Sequence, residues 1–327
     1  MNRSMIVACR AVAAVGILLA STSMVFSQSR AADYPSRPVR LVLPFPPGGT
    51  TDSAGRMYAN ALQGVLKQSV VIENKPGGNL IIGAGDVARS APDGYALLFS
   101  THSIGYENLL TTDMPFNPQR DLAPVGVIAG SGVVFAVLPS FPAKNWAEFM
   151  TYVKANPGKV NQARVGPGLI ELADMWSGLG LDMTDVPYKG GAAALTALLS
   201  GEVQIYGHSP AETAKLVEQG KLRALAYSDR VRHPLFSALQ SLPEATGSSR
   251  YAYRYWIGLW GPGSMPVDLV ARINTASNDA LKLPELRERL GGLGIQVFGG
   301  TPDEMRQEIA ANAKRVAELL AKGYTLR

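Results

Sequence analysis

The sequence predicts an α/β protein built as two lobes with a cleft between them. Three observations carry that prediction. Apolar, β-favouring runs alternate with helical patterns, two β-rich runs bracket a middle block, and glycine-rich turns follow several strand-like segments. Alternating strands and helices imply largely parallel sheets, and two runs crossing between lobes imply that the first lobe is discontinuous. The expected division is 32–132 with 257–327 as the first lobe and 133–256 as the second.

The first 31 residues stand outside this fold. Met1-Asn2-Arg3 and Arg10 supply positive charge, 11–26 is apolar and rich in small residues, and Ser29-Arg30-Ala31 offers a small-x-small cleavage site. This is the pattern of a secretory signal peptide cleaved near residues 29–32. An uncleaved anchor is the competing reading, but the apolar run is shorter than the roughly 20 residues of a membrane span. Cleavage would remove three positive charges (Arg3, Arg10, Arg30) from the formal net charge of +5, leaving +2. The single cysteine, Cys9, lies in this segment, so the exported chain has no disulfide, thiolate metal site or cysteine nucleophile. With 46% hydrophobic and 17% charged residues it has the material to stand on its own cores instead. Lysines and arginines are scattered rather than massed, which leaves no nucleic-acid footprint.

Along the mature chain, 38–43 reads as a strand and 53–67 as a helix. Pro44-Phe45-Pro46-Pro47-Gly48-Gly49-Thr50-Thr51-Asp52 joins them. Prolines stiffen the approach, and glycines let a bound group reach the backbone. Unpaired N–H groups at a helix start, on the positive end of its dipole, favour an anion. Thr51 or Asp52 is placed to cap the helix; a plain structural turn is the alternative. A strand over 70–74, a turn over 75–79, a helix over 82–90 and a strand over 95–99 follow. Gly83-Ala84-Gly85-Asp86-Val87-Ala88 has the form G-x-G-x-x-A. It lacks the preceding strand and the later acidic residue of a dinucleotide site, so it reads as a close-packed helix start.

The first crossing run is 125–138, interrupted by Gly130-Ser131-Gly132. A helix over 145–156 is stopped by Pro157-Gly158. Arg164-Val165-Gly166-Pro167-Gly168 then leads into a helix over 171–179. Arg164 is either a bidentate partner for a carboxylate or an exposed turn residue. Val186-Pro187-Tyr188-Lys189-Gly190-Gly191 opens a helix over 192–200 in similar fashion, and strands over 203–206 and 222–227 flank a helix over 211–219. The second crossing run is 256–260. Helices over 267–281, 284–290 and 302–322 close the chain, the last two opening on proline.

Catalysis finds little support. His102, His208 and His233 are far apart and lack metal spacing. His102 and His208 follow strand-like runs and are expected to line the cleft, and His233 to lie at the surface. Neither G-x-S-x-G nor H-E-x-x-H occurs. Glu171 and Asp174 share one helix face, which reads as solvated rather than as an acid–base pair. No metal and no cofactor are expected.

These motifs together resemble the periplasmic substrate-binding proteins of tripartite tricarboxylate transporters, the Bug receptor family of Bordetella and its relatives. The likeness rests on Tyr34-Pro35-Ser36-Arg37-Pro38-Val39-Arg40, the 44–52 loop, Glu73-Asn74-Lys75-Pro76-Gly77-Gly78-Asn79 and Ala91-Pro92-Asp93-Gly94-Tyr95. It continues through Asn156-Pro157-Gly158-Lys159, the 186–191 loop and Gly220-Lys221-Leu222-Arg223-Ala224-Leu225-Ala226. The resemblance implies a monomeric, type II-like Venus-flytrap clamp in the periplasm. The clamp closes on a small carboxylate, often a dicarboxylate, for the membrane components of a transporter. It also implies that Pro46, Gly48, Gly49, Thr50, Thr51 and Asp52 hold one carboxylate through backbone donors and water. Tyr188 and Gly190 contribute from the other lobe.

The expected contact set adds Thr101 and His102, Arg164, Gly166 and Gly168, and His208 and Ser209. The chain departs from the family pattern at 164–171, where Ser-Ala-Gly-x-Gly-Ser followed by a histidine is usual and this sequence has no hydroxyl. Arg164 is therefore expected to form a salt bridge directly with the ligand's distal acid. Two rivals remain at this point. One is an exported hydrolase using Asp52 or Glu171, which has no nucleophile with an oriented base. The other is a binding fold turned to sensing or partner docking, which the altered 164–171 loop motivates.

Overall fold

The computed structural model describes residues 34–165, 170–188 and 191–323. The signal-peptide expectation, 1–31, lies outside them. In chain order the first lobe begins with β1 (Val39–Leu43), α1 (Thr50–Leu66), β2 (Val70–Asn74), α2 (Ile81–Ala88), β3 (Ala96–Thr101), the short α3 (Pro118–Asp121) and β4 (Leu122–Ser131). The middle block gives β5 (Val134–Val137), α4 (Trp146–Ala155), β6 (Asn161–Val165), α5 (Ile170–Gly178) and β7 (Thr184–Tyr188). It continues with α6 (Gly191–Ser200), β8 (Tyr206–His208), α7 (Pro210–Glu218), β9 (Arg223–Tyr227) and α8 (Leu242–Thr246). The chain returns through β10 (Tyr255–Pro262), α9 (Val267–Leu281), α10 (Pro284–Gly292), β11 (Gln296–Val297) and α11 (Pro302–Ala321).

Each expected helix is present within three residues at either end. Asn145, Ser241 and Thr301 cap α4, α8 and α11, the last two closing capping boxes with Glu244 and Glu304. The strand expected over 203–206 lies later, at β8, because Ile205 is occupied in a bridge to Gln162 of β6. The 184–188 segment, whose latter half the sequence reads as loop, is strand β7.

The first sheet runs β11-β4-β10-β3-β1-β2, with β1, β2 and β3 parallel and β10 antiparallel to β3 and β4. Alternation along β1 sends Leu41 and Leu43 to one face, with Tyr58, Leu62 and Ile273 of α1 and α9, and Val42 to the other. There Val42 joins Ala84 of α2, Trp256, Trp260, and Met305 and Ile309 of α11. A sheet covered on both faces explains why its central strands are apolar almost throughout. In the second lobe β5 lies between β8 and β9, antiparallel to both, and β6 pairs with β7 in parallel. Phe135, Trp146, Phe149 and Trp176 form one core there, and Ala163, Ala194, Leu198 and Tyr206 another.

The 125–138 run is two strands rather than one, broken at Gly132 and Val133. Glycine is required at this break: a Cβ on Gly132 would lie 2.7 Å from Ser228 Oγ and 2.8 Å from the Tyr227 ring. The buried Ser228 fastens both crossing segments. Its Oγ accepts the Val133 N–H (2.7 Å) and donates to the Tyr253 carbonyl (2.7 Å). Its N–H donates to the Val133 carbonyl (2.9 Å), and its own carbonyl accepts the Tyr253 N–H (2.7 Å).

Two surface expectations are corrected here. Asp174 is 8% exposed, not solvated: it pairs with Arg315 of α11 at 3.2 Å and with Arg250 at 3.6 Å, so it joins the two lobes. A carboxylate buried at such a junction is tolerable only with cationic partners. His233 is 3% exposed, its Nδ1 accepting the Leu235 N–H at 3.2 Å with its ring edge-on to Tyr227. Pro234 opens a short turn whose first N–H needs an acceptor, and His233 supplies it. Burial holds its pKa below the ordinary value, against the Gly294 backbone and Asp229. Among the described residues, no helix is long and apolar enough to cross a membrane, and no group of acidic, histidine or cysteine residues could hold a metal.

Candidate functional site

Strand direction decides where the loops fall. β4 runs parallel to β3, since both are antiparallel to β10, and Thr101 and Ala129 pair with the same residue, Ile257. The C-terminal ends of β1, β3 and β4 therefore share the edge from which the chain crosses at Ser131. On the far side Val134, at the start of β5, pairs with His208. Because Gln162 bridges Ile205 and Val165 pairs with Tyr188, the ends of β6, β7 and β8 reach the same level. The strand ends that lead into α1 on one side and into α5, α6 and α7 on the other thus border the crossing. Ligands in open α/β folds bind at such carboxyl edges.

On the first jaw, Pro46, Pro47, Gly48, Gly49 and Thr50 are exposed, and Gly48 has φ +90°, a region open to glycine. α1 begins at Thr50 with Gly49 as its cap and no side-chain cap, so the expected capping by Thr51 or Asp52 does not occur. The N–H groups of Thr50 and Thr51 have no helical acceptor at that position and point from an exposed turn at the positive end of a 17-residue helix.

Asp52 is corrected from ligand contact to scaffold. It is 2% exposed, and its oxygens accept from Gly48 N–H (2.9 Å), Arg56 Nε and Nη2 (3.0 and 3.1 Å) and Asn74 Nδ2 (2.8 Å). Asn74 also donates to the Phe45 carbonyl at 3.0 Å. Burial pushes the Asp52 pKa up, but the Arg56 guanidinium, the Gly48 N–H and the Asn74 amide outweigh it and hold the carboxyl below its ordinary value. A carboxylate presented to an anion would repel it; turned inward, this one holds both ends of the loop in place.

The remaining expected residues divide. Thr101 is half-buried, its hydroxyl 3.1 Å from that of Ser103. His102 is turned into the core rather than the cleft: it is 3% exposed, its Nδ1 accepts the Trp256 N–H at 3.4 Å, and its ring packs against Tyr106 and Trp256. Arg164 meets an acid within its own lobe, 3.8 Å from Asp185, which also accepts from Gln162. Parallel pairing of β6 with β7 puts Asp185 beside Gln162 and brings that carboxylate within reach of Arg164. Tyr188 donates its hydroxyl to Glu202 at 2.8 Å, away from the cleft, and burial and Glu202 raise its pKa.

His208 pairs with Val134, where the chain enters the middle block. His208 is bonded through Nε2 to Glu212, and Ser209 opens α7, its carbonyl accepting from Thr213. Gly166, Gly168 and Gly190 lie outside the described residues, as does the Glu171 side chain. Asn74, Arg56 and Glu212 were not legible as site residues. The signal that existed was spacing: Arg56 stands four residues after Asp52 on α1, and Glu212 of α7 four residues after His208.

Comparison with known proteins agrees with this architecture. Residues 54–323 match the family model described as tripartite tricarboxylate transporter family receptor. The Bordetella pertussis protein BugT is 32% identical over 94% of this chain and 95% of its own length. An R. palustris protein solved with adipate is 30% identical, with a TM-score of 0.75 over 88% of this chain and 97% of that one. MatC from Rhodopseudomonas palustris, solved with bound malate, is 27% identical, with a TM-score of 0.72 over 88% of this chain and 99% of that one. With one family model covering most of the chain and the same two-lobed fold in its solved neighbours, this protein is a member of the tripartite tricarboxylate transporter receptor family.

Proposed function

We propose that this protein is a periplasmic receptor that captures a small organic carboxylate between its lobes and hands it to the membrane components of a tripartite tricarboxylate transporter. The observation that carries the reading is the exposed 46–50 turn at the start of α1, which Asp52 and Asn74 hold from behind. Preorganised donors bind an anion without a further ordering cost. Neighbours solved with adipate and malate support the ligand class. Residues 32–132 with 257–327 form one lobe in this reading, and 133–256 the other; the six-stranded sheet draws on the first set, apart from Tyr255 and Trp256, and the three- and two-stranded sheets on the second. Export rests on the N-terminal leader pattern, and the protein works as a monomer. It binds without turnover: Asp52, the acid nearest the loop, is committed to four donors and has no proton to exchange.

The test is a thermal-shift comparison of purified protein with adipate, malate and succinate against adipamide, which has adipate's carbon chain without its charges. At saturation an acid should raise Tm by about 4 °C or more by mass action, and the diamide should leave it unchanged. Equal shifts with adipate and adipamide, or none with any acid, would overturn the reading.

A further inference from the structure

Resting on that two-lobed reading, we propose that the ion pair between Asp174 and Arg315 is a clasp that sets the angle between the lobes, and that both are positioning residues for carboxylate capture. The chain crosses at 132–133 and returns at 253–255, and Ser228 binds the two segments side by side. Adjacent segments held together in this way define a single axis, and rotation about it stays open. A third attachment away from that axis fixes the angle. α11 supplies one by packing against α5.

Each half of the clasp is built into its own lobe. Met305 and Ile309 of α11 lie in the core with Trp256, and Val316 and Leu319 pack on Tyr106. Leu172, Met175 and Trp176 of α5 belong to the Phe135 core of the second lobe. The Tyr251 hydroxyl donates to the Gly178 carbonyl at the end of α5 (2.9 Å), and a Cβ on Gly178 would lie 2.9 Å from the Tyr251 ring. Between these two anchored helices Arg315 meets Asp174 through Nε (3.3 Å) and Nη2 (3.2 Å). Arg250 approaches the same carboxylate at 3.6 Å, but it comes from within the second lobe. Apolar packing does not replace the ion pair here. Arg315 and Asn312 border a cavity of about 220 Å³ whose lining also includes Asp229, Tyr253 and Arg254 beside the joint. Such space lets the lobes turn unless a directional bond opposes it. At an angle where Arg315 lost contact, the buried Asp174 would keep only the longer approach of Arg250, a costly state for a carboxylate out of water.

Electron–electron distance measurements between spin labels test this. Cys9 is the single cysteine, so a Cys9→Ser background accepts labels at Glu285→Cys on α10 and Lys154→Cys on α4, both exposed positions. Without ligand this background should give one narrow interlobe distance. Asp174→Asn, which leaves no buried charge behind, and Arg315→Gln should each broaden it, and saturating adipate should narrow it again. Adipate affinity should fall by about fivefold in either variant, because the binding orientation is then only a fraction of the ensemble. The double variant should lose no more than one of the singles, as two residues acting through one contact require. A distance that stays narrow in Asp174→Asn overturns the inference. So does a broadened distance with unchanged or tighter adipate binding, since the clasp would then not serve capture. If wild-type protein binds neither adipate, malate nor succinate, the carboxylate reading falls, and the distances alone decide whether the clasp sets the angle.

Discussion

Asp52→Ala should destabilise the folded protein by about 3 kcal/mol and weaken carboxylate binding by about tenfold. The carboxylate is buried and takes hydrogen bonds from the Gly48 backbone, the Arg56 guanidinium and the Asn74 amide. Removing it strands the Gly48 N–H and the Asn74 amide; Arg56 is half exposed and regains water, so its share is small. Binding suffers because the 46–50 turn must then be ordered at the moment of capture. The pH dependence has a definite sign. The folded-state pKa of Asp52 lies below the unfolded value, so its contribution is present above about pH 4 and is lost as pH falls through the folded-state value. Urea denaturation at neutral pH and in acid should show Asp52→Asn losing less stability on acidification than wild type. An Asp52→Ala variant with wild-type stability and affinity would mean that the loop does not depend on this anchor.

Ser228→Ala should cost about 2 kcal/mol and loosen the joint between the lobes. One hydroxyl accepts from Val133 on the outgoing segment and donates to Tyr253 on the returning one, so its loss leaves a buried donor and a buried acceptor unmatched. Neither segment belongs to a strand at that point, so these bonds are what holds it. Hydrogen exchange at residues 132–134 and 253–255 should accelerate in the variant while the amides of β1 and β3 keep their protection. Unchanged exchange at the joint, with stability lost elsewhere, would show that Ser228 does not govern it.

Much of the architecture was legible in the chain. The runs at 38–43, 70–74 and 95–99 are local patterns that survive into the fold as β1, β2 and β3, as do the proline starts of α10 and α11. The 44–52 loop is the helix-start turn that the sequence reads it as. Less legible were strands whose existence depends on a partner. β7 is polar and half exposed, and it is a strand because β6 lies beside it. β11 has two residues and exists only against β4.

The candidate site shows the same division. By itself the sequence determined the strand–turn–helix units, the glycines that keep their turns open, and the family to which the chain belongs, because these rest on short-range geometry and on motif order. Only the tertiary structure decided what each charged or polar side chain does. Asp52 turns inward because Asn74, 22 residues on, and the Gly48 backbone converge on it. His102 is claimed by Trp256, 154 residues away, and Asp174 by Arg315, 141 residues away. Arg164 meets Asp185 through the register of two parallel strands. A charge settles where burial and partners balance its desolvation, and that balance is set by contacts that no local pattern contains.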